Sequence, residues 1–339
     1  MKNKIAVLHG GWSHESNLCA FHAILGAIKR LGYQAQKFCC DDHEFIVKLI
    51  KFNPDVAFLA SHGAYHEDGK LQGVLEYLDI PYIGSGTTAS AIGMNKLTSK
   101  LFFKGMGFHT APFILVEDGD VIPDYDHATH QLDTPLVIKP LNAGASVGLK
   151  IVTDRNEYER TLKQLLPVFR ALLIEKHLGK ECREFSVGVH EFFGRVEALP
   201  ICELITSGGT YSYEMKNSLH GKLDRVIPAK IDNLLEKELK EFAIKIHRAT
   251  GAETYSRVDM MVDKERKIFI LEMNTLPGLL PMSIIPKAFK AIGISYDQLI
   301  DRLISSAKLP KRFDPKKLYS EKPELPHEVI SVMLSANDS

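Results

Sequence analysis

The chain has 339 residues, 45% of them hydrophobic, and its 42 Lys and Arg are matched by 42 Asp and Glu. A formal net charge of zero provides no global field to gather nucleic acid or an anionic membrane surface, so neither is expected as a partner. The length exceeds what one core normally serves and predicts two or three lobes.

Residues 4–8 (KIAVL) form an apolar run ending at Gly10-Gly11, which reads as a buried strand entering a turn. Apolar residues then recur at helical spacing at Leu18, Phe21, Ile24, Leu25, Ile28 and Leu31. DVAFLA at 55–60 reads as another buried strand and LQGVLEYL at 71–78 as a helix. The first part of the chain therefore alternates strand and helix, as an open parallel sheet does. A helical pattern resumes over 94–107, followed by strands at FILVE and LVIKP, a strand-like ASVGLKIV, a helix near 156–169 and a strand at ALLIEKH. This is a second, α+β unit. REFSVGVHEF, VEALPICEL, a helix near 233–250, VDMMVD and KIFILEMN make a third, which the helix SYDQLIDRLISSAK closes. From Leu309 onward Pro and Lys dominate, as in a surface tail.

The start, MKNKIAVLHGG, is too short and too soon polar for a secretory signal, and no apolar run approaches the roughly 18 residues of a membrane span. The five cysteines are odd in number and show no CxxC spacing, which points away from a zinc site or a disulfide framework and towards a reducing cytoplasm.

Two motifs are weak. GSGTTA at 84–89 looks like a dinucleotide fingerprint, but it lies late in the first unit and lacks the acidic partner about 20 residues on. His62 and His66 are four apart, yet Gly63 and the following EDG read as a loop rather than a metal-binding helix.

The strong signal lies at 257–283. Asp259 falls on the strand RVDMMVD, and Glu272 and Asn274 end the next strand on one face. Three oxygen donors at adjacent strand ends suit Mg²⁺, which takes few protein ligands and leaves positions for phosphates. Lys139 ends the strand LVIKP before the small-residue turn NAGASVG, and Lys96 starts the preceding unit. A lysine beside such a turn holds phosphate together with free backbone N–H groups. Glu175, Lys176 and Glu184 flank a further strand, where a purine edge and ribose could be read.

In order along the chain, HGGWSHES (9–16), the stretch from HGAYHEDGKLQG to MNK (62–96), VIKPLNAGASVG (137–148), LIEK (173–176), SRVDMM (256–261) and LEMNTLPGLLPMSIIP (271–286) resemble the D-alanine–D-alanine ligase family. The resemblance covers residues 4–308 with few gaps. It implies a three-lobed ATP-grasp architecture, α/β overall and α+β in the ATP-grasp lobes: a Rossmann-like domain at 1–93, a central lobe at 94–184, a C-terminal lobe at 185–308 and a polar extension at 309–339. It implies an ATP site at Lys96, Lys139, Ser146, Glu175, Lys176, Leu178, Glu184 and Lys216. Asp259, Glu272 and Asn274 would hold two Mg²⁺, with Mn²⁺ as an alternative occupant. Arg257 and the Gly278 N–H would stabilise an oxyanion. Glu15 and His62 would hold the first amino acid, and Ser283 with Ile284 the carboxylate of the second. The implied enzyme is a cytoplasmic, homodimeric ligase that makes D-alanyl-D-alanine for peptidoglycan precursors.

Departures from the family pattern gather at the first amino-acid site and its lid. Ala145 stands where the family has a serine, Asn217 follows Lys216 in place of a tyrosine, and Asn17 and Cys19 replace Glu and Ser. A ligase with a different first amino acid or hydroxy acid, and a non-catalytic nucleotide-binding homologue, are the alternative readings. In the family that serine and tyrosine join the acidic residue matching Glu15 in a hydrogen-bonded latch across the first-substrate site; in a true D-alanine ligase, Tyr211, Tyr213 or His220 could replace it.

Overall fold

The computed structural model describes residues 3–11, 14–144, 146–179, 181–206 and 223–309, with the backbone alone for 14–19, 206 and 223. The tail from Pro310, the stretch 207–222 and Ala145 lie outside the described residues.

The first sheet is β1 (Lys4–His9), β2 (Gln34–Cys39), β3 (Val56–Leu59) and β4 (Tyr82–Ile83), in the order β2-β1-β3-β4. All its pairings are parallel, with Ile5 opposite both Ala35 and Val56. Parallel strands linked by helices are covered on both faces, which is why β1 and β3 read as continuous apolar runs. The linking helices are α1 (His14–Arg30), α2 (Phe45–Phe52) and α3 (Lys70–Tyr77). Two more, α4 (Thr87–Met94) and α5 (Lys96–Gly105), lead out of this unit. The GSGTTA turn opens α4 and serves as a fastening rather than a cofactor cradle. Gly84 N donates to Thr254 Oγ1, and the Ser85 hydroxyl accepts from Glu253 N at 3.2 Å.

The second sheet is antiparallel, in the order β5 (Phe113–Glu117), β8 (Ala171–Lys176), β6 (Leu136–Pro140), β7 (Lys150–Val152). It is backed by α6 (Tyr125–Leu132) and α7 (Arg155–Phe169). The strand expected over 145–152 is shorter than predicted. Ser146 (φ 60°) and Gly148 (φ 71°) make a turn, and only Lys150–Val152 pair. A Cβ at Gly148 would lie 2.7 Å from Pro140 Cγ, so the turn folds tightly onto the end of β6.

The third sheet runs β12 (Leu223–Val226), β11 (Cys202–Thr206), β9 (Arg183–Phe192), β13 (Tyr255–Val262), β14 (Ile268–Asn274), with β10 (Arg195–Ala198) also on β9. The segment VEALPICEL, read as one piece, breaks at Pro200 into β10 and β11, because proline cannot donate to a ladder. The helix α8 (Asn233–Thr250) begins at an Asp232 cap, whose carboxylate accepts from Leu234 N and Leu235 N, and stops at Gly251 in the left-handed conformation.

Two helices follow, α9 (Ile284–Ala291) and α10 (Tyr296–Ser306). The last was expected to close the third sheet. It packs on β9 of that sheet and also reaches α1 and the turn after it in the first unit, where Arg30 forks onto Asp297 and the Tyr33 hydroxyl donates to Asp301. Phe289, Leu299 and Leu303 are wholly buried in the same core as Ile5, Phe21 and Phe58. Each such side chain is worth roughly 1.5–3 kcal/mol of burial. The chain thus returns to its first sheet, and the strand ends of all three sheets are held in one unit that ends at Leu309.

Candidate active site

The third sheet positions the acidic set. β13 pairs with β14 so that Arg257 faces Asn274 and Asp259 faces Glu272. Residues two apart on a strand share a face, and directly opposed residues share it too, so all four side chains lie on one side. Immediately beyond, the register shifts between Asp259 and Met260. The extra residue is Leu271 on β14, and on the other face of β13 Val258, Met260 and Val262 alternate into the core.

Arg257 forks onto Asp259, with Nε 2.8 Å from Oδ1 and a terminal nitrogen 2.7 Å from Oδ2. The Ser186 hydroxyl, from β9, donates to the same Oδ1 at 2.5 Å. The Arg257 guanidinium is also 3.9 Å from Glu272, whose side chain stays 38% exposed while that of Asp259 is 6% exposed. The sheet therefore fixes one carboxylate and leaves the other reaching outward. Asn274 Oδ1 accepts from Leu276 N and turns the chain towards Gly278. Among the described residues no three His, Cys, Asp or Glu side chains gather as a metal cage. Two carboxylates and one amide are hard oxygen donors on a half-open face, which suits Mg²⁺ and its need to keep positions for phosphate or water.

Gly278 and Ser283 are neighbours, since a Cβ on Gly278 would lie 3.7 Å from Ser283 Oγ. Ser283 is the N-cap of α9, but its side chain makes no capping bond. Its hydroxyl and the first N–H groups of α9, Ile284 included, are therefore presented to whatever lies before the helix, an arrangement that favours a carboxylate.

The second sheet and α5 carry the lysines. Asn95 caps α5 by accepting from Thr98 N, which sets Lys96 as its first residue. Lys96 N bonds Leu141 O, Lys96 Nζ bonds Ala143 O, and Asn95 bonds Asn142. The start of α5 is thereby stitched to the turn that follows Lys139. Lys139 Nζ is 2.8 Å from Glu175 Oε2. Glu175 pairs in register with both Phe113 and Val137 and is buried. Lys176, the next residue, points outward and pairs with Asp133. Past it, the Leu178 carbonyl accepts from the Cys182 thiol. Glu184 lies on β9 opposite Leu204 and Met261.

The first sheet contributes the loop after β3. Glu67 accepts from Gly63 N at 2.6 Å and faces His62 Nδ1 at 3.2 Å. His66 turns away, its Nε2 3.6 Å from Asp41, so the two rings serve different carboxylates. Gly11 (φ 98°) must be glycine, because a Cβ there would stand 2.0 Å from the His62 carbonyl oxygen. Glu15 is the second residue of α1, and its side chain lies outside the described set. Lys216, Asn217, Ala145, Tyr211, Tyr213 and His220 also lie outside the described residues.

These stretches approach one another. A Cβ on Gly144 would lie 3.5 Å from Glu67 Oε2, and one on Gly93 3.0 Å from the Met273 carbonyl. The turn after Lys139 thus abuts the first-sheet loop, and α4 abuts the acidic strand end. Two residues that sequence reasoning did not single out belong here. Ser186 anchors Asp259, and Lys100, one turn after Lys96, stands 3.1 Å from Glu175. The i, i+4 spacing of Lys96 and Lys100 was the available signal for the second. One further surface hollow, lined by Asp124, Tyr158, Leu162 and Leu166, contains none of the residues above.

Residues 102–305 match the family described as D-ala D-ala ligase C-terminus. The chain is 36% identical over 305 residues to a D-alanine–D-alanine ligase of Aquifex aeolicus, covering 89% of this chain and all of the relative. It is 34% identical over 316 residues to one of Syntrophotalea carbinolica, covering 91% of this chain and 98% of the relative. Its fold is similar to the crystal structure of D-alanine–D-alanine ligase from Bacillus anthracis complexed with ATP, with a TM-score of 0.75 and 28% identity over 90% of this chain and 97% of that one. The fold that matches is this chain's arrangement of one parallel and two antiparallel sheets with flanking helices. Among the described residues no helix is long and apolar enough to cross a membrane.

Proposed function

The chain belongs to the D-alanine–D-alanine ligase family, and from that footing we propose that it joins two D-alanines with Mg-ATP to give D-alanyl-D-alanine, ADP and phosphate. The observation that carries the reading is the polar face of β13 and β14. Arg257 is locked on Asp259 opposite Glu272 and Asn274, beside the Gly278–Ser283 turn.

In this reading a carboxylate oxygen of the first D-alanine attacks the γ-phosphorus. The bond from the γ-phosphorus to its bridging oxygen breaks, and ADP leaves with that electron pair. Such a step asks for alignment and charge neutralisation rather than a protein nucleophile. Lys96, Lys139 and Lys216 serve the phosphates, while Glu175, Lys176, Leu178 and Glu184 line the base and ribose, with Ser146 in the phosphate turn. Asp259, Glu272 and Asn274 would hold Mg²⁺, which supplies neutralisation at the phosphate oxygens. Glu15 and His62 hold the first amino acid. The amine of the second D-alanine then attacks the acyl carbon, the phosphate departs, and the amine releases a proton. Arg257 and the Gly278 N–H receive the transient oxyanion, each such donor being worth roughly 3–4 kcal/mol. Ser283 and the N–H of Ile284 hold the second carboxylate.

A cytoplasmic location, a homodimeric state, a supply role in peptidoglycan precursor synthesis and lobe boundaries near residues 94, 185 and 309 belong to the same proposal. The departures at Ala145 and Asn217 favour one second reading, a different first amino acid. Phosphate release from Mg-ATP across single and paired D- and L-amino acids decides between them. D-alanine giving the largest signal supports the first reading, and a requirement for another first amino acid supports the second. Failure of every amino acid to stimulate release rejects both.

A further inference from the structure

Glu175 is held between two lysines. Lys139 Nζ lies 2.8 Å from Oε2, and Lys100 Nζ lies 3.1 Å from Oε1. The Lys100 contact is an ion pair set off the hydrogen-bonding angle, so it brings charge to Oε1. Lys100 spends a hydrogen bond elsewhere, on the Ala111 carbonyl at 3.1 Å, and its ammonium lies 5.3 Å from the centre of the Phe113 ring. The Lys100 side chain is 1% exposed, that of Glu175 4% and that of Lys139 11%. Lys100 is therefore fixed from three sides, and Lys139 is the member of the trio that reaches the edge. Burial lowers the Lys100 ammonium to about 8, with Glu175 opposing the shift. Burial acts to raise Glu175, but Lys139 and Lys100 outweigh it and keep its carboxyl below the ordinary range.

A lysine that must serve a nucleotide cannot stay tied to a buried carboxylate. A buried carboxylate, in turn, cannot be left without a counter-charge, because removing one partner of such a pair costs several kcal/mol. One lysine alone would face both demands. We propose that Lys100 is a positioning residue for nucleotide binding: it remains as the counter-ion of Glu175 when Lys139 turns from that carboxylate to ATP. The inference rests on the assignment of Lys139 to the ATP site. It gives a role to a lysine whose side chain is 1% exposed.

The test is binding of a non-hydrolysable Mg-ATP analogue by calorimetry to the full-length protein, its K100M and E175Q variants and the double variant. Wild-type protein that fails to bind the analogue would reject the proposed function itself, independently of Lys100. Given wild-type binding, K100M leaves Lys139 as the only cation of Glu175, and Kd rises about tenfold or more, equivalent to ~1.4 kcal/mol per decade. In the E175Q background there is no carboxylate to release from, so adding K100M changes Kd by less than twofold. A merely structural lysine, or one acting only by general positive charge, would cause the same loss in both backgrounds, and that result overturns the proposal. Unchanged Kd in K100M alone also overturns it. K100R keeps the charge and is expected to bind within threefold of wild type. If K100M does not fold, the double variant against E175Q still decides, since a further tenfold loss there contradicts the inference.

Discussion

Replacing Arg257 with Met tests the oxyanion assignment and the architecture of the acidic face together. Arg257 gives Asp259 two hydrogen bonds, at 2.8 and 2.7 Å, and Ser186 gives it another. The Asp259 side chain is 6% exposed, so water does not replace the lost donors. Breaking a buried pair of this kind costs about 3–5 kcal/mol, and the remaining Ser186 bond places the expected value near the lower end. Magnesium should return part of that stability by supplying a new counter-charge. The kinetic effect is separate. Loss of one oxyanion donor lowers kcat by about 10²–10³-fold. Urea unfolding with and without Mg²⁺ reads the first effect, and steady-state phosphate release at saturating substrates, in protein shown by circular dichroism to be folded, reads the second. R257K, which keeps the charge but not the fork, should fall between wild type and R257M in both measurements. A kcat for folded R257M within threefold of wild type would refute the placing of Arg257 at the oxyanion.

E272Q should raise the Mg²⁺ concentration needed for half-maximal activity more than tenfold, and activity unchanged at ordinary Mg²⁺ would remove Glu272 from the metal set. His247 is 1% exposed, shares a hydrogen bond with Ser256, and is lowered to about 4 by burial and by the charges of Lys308, Arg248 and His190. Below pH 6.5 the unfolded chain binds a proton that the folded chain refuses until about pH 4, so stability falls as pH drops through this window. By pH 5.5 the loss is about 1.4 kcal/mol. H247N should flatten that slope in melting experiments between pH 7 and 5, and an unaltered slope would show that another group sets it. Restoring the family latch with A145S and N217Y should lower KM for the first D-amino acid, whereas unchanged constants would show that the latch is irrelevant here.

The legible parts of the site were those written in local pattern. Strand alternation alone put Glu272 and Asn274 on one face, and the apolar strands around them gave β13 and β14 their place. The helical pattern over 94–107 was legible, but its break at Asn95, which caps α5, shows only in the structure. Lys100 was hidden because a lysine inside a polar helix normally points to solvent. Its burial is decided by Ala111, Phe113 and Glu175, which come from later in the chain. His247 was hidden for a similar reason: a basic residue in the last turn of α8 suits the helix dipole, and only packing against β13 shows it to be neutral and enclosed. The docking of α10 on α1 buries Leu299 and Leu303 with Phe21 and is fastened by Arg30–Asp297 and Tyr33–Asp301, pairs separated by most of the chain, which periodicity does not register.

Isotope transfer tests the central claim most directly. D-alanine labelled with ¹⁸O in its carboxylate is incubated with Mg-ATP and the protein, and the released phosphate and the peptide are analysed by mass spectrometry. Ligation through an acyl phosphate transfers one labelled oxygen to each phosphate released and yields D-alanyl-D-alanine in equal amount. Phosphate without label, or released without dipeptide, would contradict the assignment.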